Sequence, residues 1–144
     1  QVLEIYQSLN NGVNMAWSRR LLYRLVGKRM LLVATKSTTG GEQIVGINLY
    51  YFNQRDVVDK TIHEGFIGVI REMSGRRIAT NMRCVSKKGF LRSKLHGIST
   101  RISLDNLSSL TSAENLGFVA VEKYFDRELA AERYYLVSRF KESI

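Results

Sequence analysis

The chain reads as a single mixed α/β domain, and three observations predict that class. Some segments repeat apolar residues at helical spacing, as Ile78, Ala79, Met82 and Val85 do, while others are dense runs of β-branched and aromatic residues, as around Ile44 to Phe52. The two kinds of segment do not alternate regularly, which argues against a doubly wound nucleotide fold. The chain has 144 residues, 44% of them hydrophobic, and no proline, repeat or linker marks a boundary, so one domain over 1–144 with one sizeable core is expected.

The elements follow in order. Residues 3–9 and 15–26 carry apolar side chains at helical spacing (Met15, Leu21, Leu22, Leu25, Val26), with Gly12 and Gly27 as breaks, and predict two short helices. The runs at 30–34 and 43–52 predict a hairpin, with turn residues at 37–41 between them. Ile62, Phe66, Ile67, Val69 and Ile70 predict a strand over 61–70 that is covered on both faces. A helix over 76–88 should bury Ile78, Ala79, Met82 and Val85 and stop at Gly89. A strand over 97–102 comes next, then a helix capped by Ser103 or Asp105 and ended by Gly117. Strands over 118–125 and 133–140 close the chain around a loop at 126–131.

Composition narrows the class of function. The lone Cys84 cannot form an internal disulfide, no cysteine and histidine cluster has metal-ligand spacing, and a reducing, cytoplasmic setting without a metal is expected. No apolar run approaches the roughly 20 residues that span a bilayer, and no secretory leader opens the sequence, so solubility is expected. A net charge of +9 points to a polyanionic partner such as nucleic acid, an anionic membrane or a phosphorylated cofactor. The densest basic stretch (Arg71, Arg76, Arg77, Arg83, Lys87, Lys88, Arg92, Lys94) begins at a glycine turn; beyond Arg77 it also reads as a solvated helix face.

That turn is the most informative segment. Val69-Ile70-Arg71-Glu72-Met73-Ser74-Gly75-Arg76-Arg77-Ile78-Ala79-Thr80 puts a strand, a glycine turn and a helix N-terminus in succession. Free backbone N–H groups and the positive end of a helix dipole can hold a pyrophosphate there. Downstream, Asn106-Leu107-Ser108-Ser109 and Asn115-Leu116-Gly117-Phe118 add a capped helix and a glycine stop.

These spacings resemble the GNAT acyltransferase superfamily, whose members move an acyl group from coenzyme A to an amine. The family's Val falls six residues before the first glycine of its turn, as Val69 does before Gly75, with Ile78 and Ala79 following in step. Its Asn precedes Leu-Gly-Phe by ten residues, as Asn106 precedes Leu116-Gly117-Phe118. Ile44-Val45-Gly46-Ile47 is similar to its third strand, and the likeness runs from about Glu42 to Phe140.

The resemblance implies a twisted mixed sheet of six to seven strands, splayed between the fourth and fifth, flanked by about four helices. The family's first strand is not identifiable ahead of Leu3 and is expected outside this sequence or from a neighbouring chain. Acetyl-CoA is the implied co-substrate. Its arm would pair with backbone near Val69, Ile70 and Arg71; its pyrophosphate would rest on Gly75, Arg76, Arg77, Ile78, Ala79 and Thr80; and Asn106 with Ser109 would reach the arm and the far side of the cofactor. Three departures stand out: Arg77 replaces a second Gly or Ala, Ser74 and Glu72 replace basic or amide residues, and the family's tyrosine acid falls on Ala113.

Acyl transfer needs a neutral amine, a stabilised oxyanion and a tolerable thiolate. Glu64 or His63 is the candidate base, read otherwise as a solvent-facing strand-end carboxylate and a packed histidine. Tyr124, or else Tyr134 or Tyr135, is the candidate acid, each read otherwise as sheet packing. Cys84 reads as a packing residue. The acceptor is an unidentified small-molecule or peptide amine, which Asp56, Asp59, Asp126 and Glu128 in the loops at 53–60 and 126–131 could attract. A homodimer is common in the family. Two rival readings are a CoA-binding sensor without turnover, motivated by Arg77 and Ala113, and a basic nucleic-acid-binding domain, which ranks last because basic strands with interleaved aromatics are lacking.

Overall fold

The computed structural model describes residues 2–10, 15 and 30–140. Helix α1 (Val2–Leu9) precedes a hairpin of β1 (Leu31–Thr38) and β2 (Gly41–Tyr51). Helix α2 (Gln54–Asp59), strand β3 (Thr61–Val69), a 3-10 turn (Arg71–Met73) and helix α3 (Ile78–Phe90) follow. Strand β4 (Gly97–Ser103), helix α4 (Leu107–Asn115) and strands β5 (Val119–Asp126) and β6 (Ala131–Arg139) complete the order. Of the helix expected over 15–26, all but Met15 lies outside the described residues.

Among the described residues six strands form one sheet in the order β1-β2-β3-β4-β6-β5. Of the β1–β2, β3–β4, β4–β6 and β5–β6 ladders, only β3–β4 is parallel, running from Thr61↔Gly97 to Glu64↔Thr100. It stops there, although β3 continues to Val69 and β4 to Ser103. The expected splay falls on the strands that are β3 and β4 here, and their ladder is interrupted beyond Glu64↔Thr100.

Four sequence expectations need correction. Residues 53–60 are not a plain loop: Asn53 caps α2, and Lys60 closes it in the left-handed conformation. Asn106 rather than Ser103 or Asp105 caps α4, its side chain accepting from Ser109 N–H. Gly89 does not stop α3, which runs on to Phe90. The buried residues of α3 include Met82, Arg83 and Ser86, while Val85 is 55% exposed; Arg83 has a buried carboxylate partner, and a valine can face solvent at little cost.

The chain divides into two compact units, Gln1–Tyr50 with Phe66–Met82 and Tyr51–Gly65 with Arg83–Ile144. In the first, Val45, Ile47, Leu49, Tyr50 and Met82 are buried. Tyr6 of α1 packs on Phe66 with ring centroids 4.7 Å apart. In the second, Ile62, Ile98, Ile102, Ala113, Phe118, Leu136 and Val137 form the core. Gly65 is needed there by close approach, since a Cβ would fall 1.8 Å from the Tyr51 ring.

Candidate active site

In the first unit the chain leaves β3 with Ile70 N–H donating to Val45 C=O at 2.8 Å. Extended residues alternate their polar groups between edges, so Val69 turns its backbone to the edge of β3 away from β2. Ser74 then closes the 3-10 turn, its Oγ and N–H both donating to Arg71 C=O at 2.8 and 3.1 Å. Gly75 has φ +75° and Arg77 has φ +59°, with Arg76 on the ordinary side between them. Alternation of this kind turns successive N–H groups toward one concavity, which suits an anion.

The first helical bond of α3 runs from Asn81 N–H to Arg77 C=O at 2.9 Å, so the N–H groups of Gly75 to Ala79 lie ahead of the helix's own ladder. Nothing stands within 4 Å of where a Gly75 Cβ would be. The phosphate approach is therefore open, and the residues fit a pyrophosphate. Arg77, the sequence's main departure, keeps the left-handed backbone that a glycine would adopt, at a cost of about 1–2 kcal/mol. Its side chain and that of Arg76 are exposed. Beside the turn lies a cavity of about 810 Å³, lined by Leu9, Lys36, Gln43, Val45, Ile70 and Arg71 among others.

The second unit holds two buried polar clusters. In the first, Arg83 Nη2 donates to Glu64 Oε1 at 2.8 Å, and Nε reaches Oε1 and Oε2 at 3.2 and 3.1 Å. The remaining guanidinium N–H groups donate to Ser109 C=O, Ser109 Oγ and Ser112 Oγ, and Thr100 Oγ1 donates to Glu64 Oε1. Glu64 and Arg83 are 4% and 2% exposed, so Glu64 is not a solvent-facing carboxylate. An ion pair tolerates such burial only with its remaining donors satisfied, as they are here.

In the second cluster, His63 Nδ1 lies 2.8 Å from Ser99 Oγ, and Ser99 Oγ donates to Asp56 Oδ1 at 2.6 Å. Asp56 Oδ1 also accepts from Thr61 Oγ1 at 2.7 Å, while Oδ2 accepts Asn53 N–H at 3.0 Å as part of the capping box of α2. The His63 ring sits between Tyr51, 5.2 Å away, and Tyr135, stacked at 6.3 Å. Arg55 covers Tyr135 at 3.9 Å. Tyr135 Oη has no hydrogen-bond partner among the described residues. Burial raises this phenol above its ordinary pKa; the Ser99 hydroxyl opposes that shift but stands outside hydrogen-bond geometry with Oη.

The structure thus brings Glu64 and Ser109 together through Arg83, and joins His63 to Ser99 and Asp56. Tyr124 is placed apart from both clusters' hydrogen bonds, its Oη accepting from Arg101 at 3.1 Å. Asn106 is exposed at the start of α4. Sequence reasoning missed Ser99 and the buried roles of Arg83 and Asp56, which it read as part of a basic run and as an acceptor-attracting loop acid. One local signal was available: Asn53-x-x-Asp56 is a capping-box pattern.

The acidic residues expected to draw a cationic acceptor are largely engaged. Asp56 is wholly buried, and Asp59 with Glu122 faces Arg55. Asp126 pairs with Arg133, and the Leu129 N–H above all holds its carboxyl below the usual range. Among the described residues no group of three or more His, Cys, Asp or Glu side chains is placed to hold a metal ion. No described helix is long and apolar enough to cross a membrane.

No protein-family model and no curated protein sequence matches the chain. Solved structures do. The NatB acetyltransferase complex bound to CoA and MES superposes with a TM-score of 0.77 at 12% identity, covering 96% of this chain and 94% of that one. The NatC complex bound to Gag peptide and CoA gives 0.76 at 16%, over 87% and 79%. Salmonella typhimurium yncA with its cofactor acetyl-CoA gives 0.73 at 15%, over 99% and 88%. At these identities the likeness speaks for architecture, and the architecture of this chain is the GNAT fold.

Proposed function

We propose that the chain, working as a single acyltransferase domain in the cytoplasm, transfers an acetyl group from acetyl-CoA to a primary amine by direct attack on the thioester. The observation that carries this reading is the turn from Ser74 to Ala79: two left-handed residues and an open helix N-terminus, on a fold shared with acetyltransferases. Gly75, Arg76, Arg77, Ile78, Ala79 and Thr80 hold the pyrophosphate, and Val69, Ile70 and Arg71 border the arm. Asn106 and Ser109 belong to the same set, with Ser109 fixed by Arg83.

The thioester supplies an activated acyl carbon. The amine nitrogen bonds to that carbon, the carbon–sulfur bond breaks, and the sulfur leaves with the bonding pair. The nitrogen's surplus proton goes to His63, directly or through water. Glu64 is left out of that step because its carboxylate is already taken up by Arg83 Nε and Nη2 and by Thr100 Oγ1. It serves instead to hold Arg83 and, through it, Ser109. Tyr124 receives its hydrogen bond from Arg101 and keeps its own proton to give to the thiolate.

The acceptor is a small-molecule or peptide amine, and NatC's Gag peptide favours the latter. Because Asp56, Asp59 and Asp126 are paired internally, shape more than a negative mouth selects it. A homodimer through the closing strands fits the exposed Val119, Val121 and Phe125 of β5, the sheet's outer strand.

Acetyl-CoA should raise the melting temperature, and Gly75→Asp with Asn106→Ala should abolish that rise; an unmoved wild type sinks the cofactor assignment. CoA release against a panel of amines and peptide N-termini tests turnover. A second reading, binding without turnover, is favoured by Ala113, which is fully buried where the family carries its tyrosine acid. A melting rise with no release across the panel would select it.

A further inference from the structure

We propose that Asp56 and Ser99 are positioning residues: they fix His63 as its Nδ1–H tautomer, which makes Nε2 the nitrogen that accepts the amine's proton. This rests on the acetyltransferase reading for its chemistry, but the tautomer itself follows from hydrogen-bond bookkeeping. Ser99 has one hydroxyl proton, and it is committed to Asp56 Oδ1 at 2.6 Å, an oxygen that also accepts from Thr61 Oγ1. The 2.8 Å contact between Ser99 Oγ and His63 Nδ1 then has only one consistent donor, the ring N–H. With Nδ1 protonated, the lone pair of the neutral imidazole resides on Nε2.

The burial makes this stringent. Asp56 and Ser99 are both 0% exposed and His63 is 3% exposed, so water is poorly placed to substitute for a missing partner. Asp56 is itself held from three directions, by Asn53 N–H, Thr61 Oγ1 and Ser99 Oγ. Around the imidazole lie, among others, Tyr51 from β2, Ser99 from β4 with Asp56 of α2 behind it, and Tyr135 from β6, whose ring Arg55 of α2 and Arg101 of β4 cover at 3.9 and 5.1 Å. A carboxylate one hydroxyl away also stabilises the imidazolium formed when Nε2 takes a proton, by orienting the Ser99 dipole toward it. No covalent change occurs in Asp56 or Ser99; the proton moves from nitrogen to nitrogen.

The test is long-range proton–nitrogen NMR of the ring in the full chain, with His63→Gln to assign the signals against His96. Wild type should show the Nδ1–H tautomer at alkaline pH. Ser99→Ala should convert the ring to a mixture or to Nε2–H, and lower kcat for the best amine by about 10-fold or more, with KM for acetyl-CoA little changed. Ser99→Thr, which restores a hydroxyl, should recover both. Thr61→Val removes a different bond to Asp56 and serves as the control, lowering the melting temperature without changing the tautomer. An Nε2–H ring in wild type, or an unchanged ring in Ser99→Ala, overturns the proposal. Failure of every amine to release CoA would instead overturn the acetyltransferase reading, while the ring signals still decide the positioning role.

Discussion

The turn from Ser74 to Ala79 and the clusters around Glu64 and His63 solve opposite problems. The turn is exposed and works with backbone groups, so it depends on φ angles and on what is absent, a Cβ at Gly75. The clusters are buried and work with side chains, so they depend on complete pairing of donors and acceptors. An exposed turn that offers main-chain N–H groups tolerates many side chains as long as the backbone path holds, as Arg77 shows at φ +59°. A buried polar cluster tolerates almost none, because each lost partner strands another group away from water.

The sharpest break of this comparison is Arg83→Met. It should leave the Glu64 carboxylate buried and unpaired, costing about 3–5 kcal/mol in urea unfolding, and the double variant Glu64→Leu with Arg83→Met should recover most of it. A single variant that unfolds like wild type would mean that Glu64 finds water or another donor, and that the cluster is not closed. At the turn the effects should be smaller and separable. Gly75→Ala should cost about 1–2 kcal/mol, from φ alone since its Cβ meets nothing, whereas Arg77→Gly should relieve strain and change stability by less than about 1 kcal/mol in either direction. Arg77→Gly should also flatten the salt dependence of acetyl-CoA binding, measured by titration calorimetry at two ionic strengths.

The same contrast explains what could be read from the sequence. Val69, Gly75, Ile78 and Ala79 lie within a dozen residues, so their spacing carries the strand, turn and helix proposed to hold the cofactor. Asn106 and Gly117 likewise bracket a helix locally. The clusters join residues far apart in sequence: Glu64 meets Arg83 across 19 residues, His63 meets Ser99 across 36 and Asp56 meets Ser99 across 43. No periodicity encodes those meetings. Arg83 was camouflaged in a basic run that reads as a wet helix face, and Asp56 by neighbours Val57 and Val58, which are exposed while it is buried. Burial of polar groups follows from tertiary partners, and that is why the glycine turn was legible and the buried clusters were not.

The smallest expected effect at neutral pH tests whether the His63 cluster is complete without Tyr135. Tyr135 is 1% exposed, and its Oη meets no donor or acceptor among the described residues, so Tyr135→Phe removes a desolvated group that gains nothing in return. Stability near pH 7 should hold within about 0.5 kcal/mol or rise. The difference should open in alkali. Burial raises the folded-state pKa of this phenol, so above the ordinary tyrosine value of about 10 the unfolded chain loses its proton while the folded one retains it. Stability present below pH 10 should therefore fall as pH climbs toward the raised value, and Tyr135→Phe should lessen that fall in urea titrations at stepped pH. Loss of more than about 1 kcal/mol at pH 7 would instead show the hydroxyl to be bonded, and would add a fourth member to the Asp56, Ser99 and His63 relay.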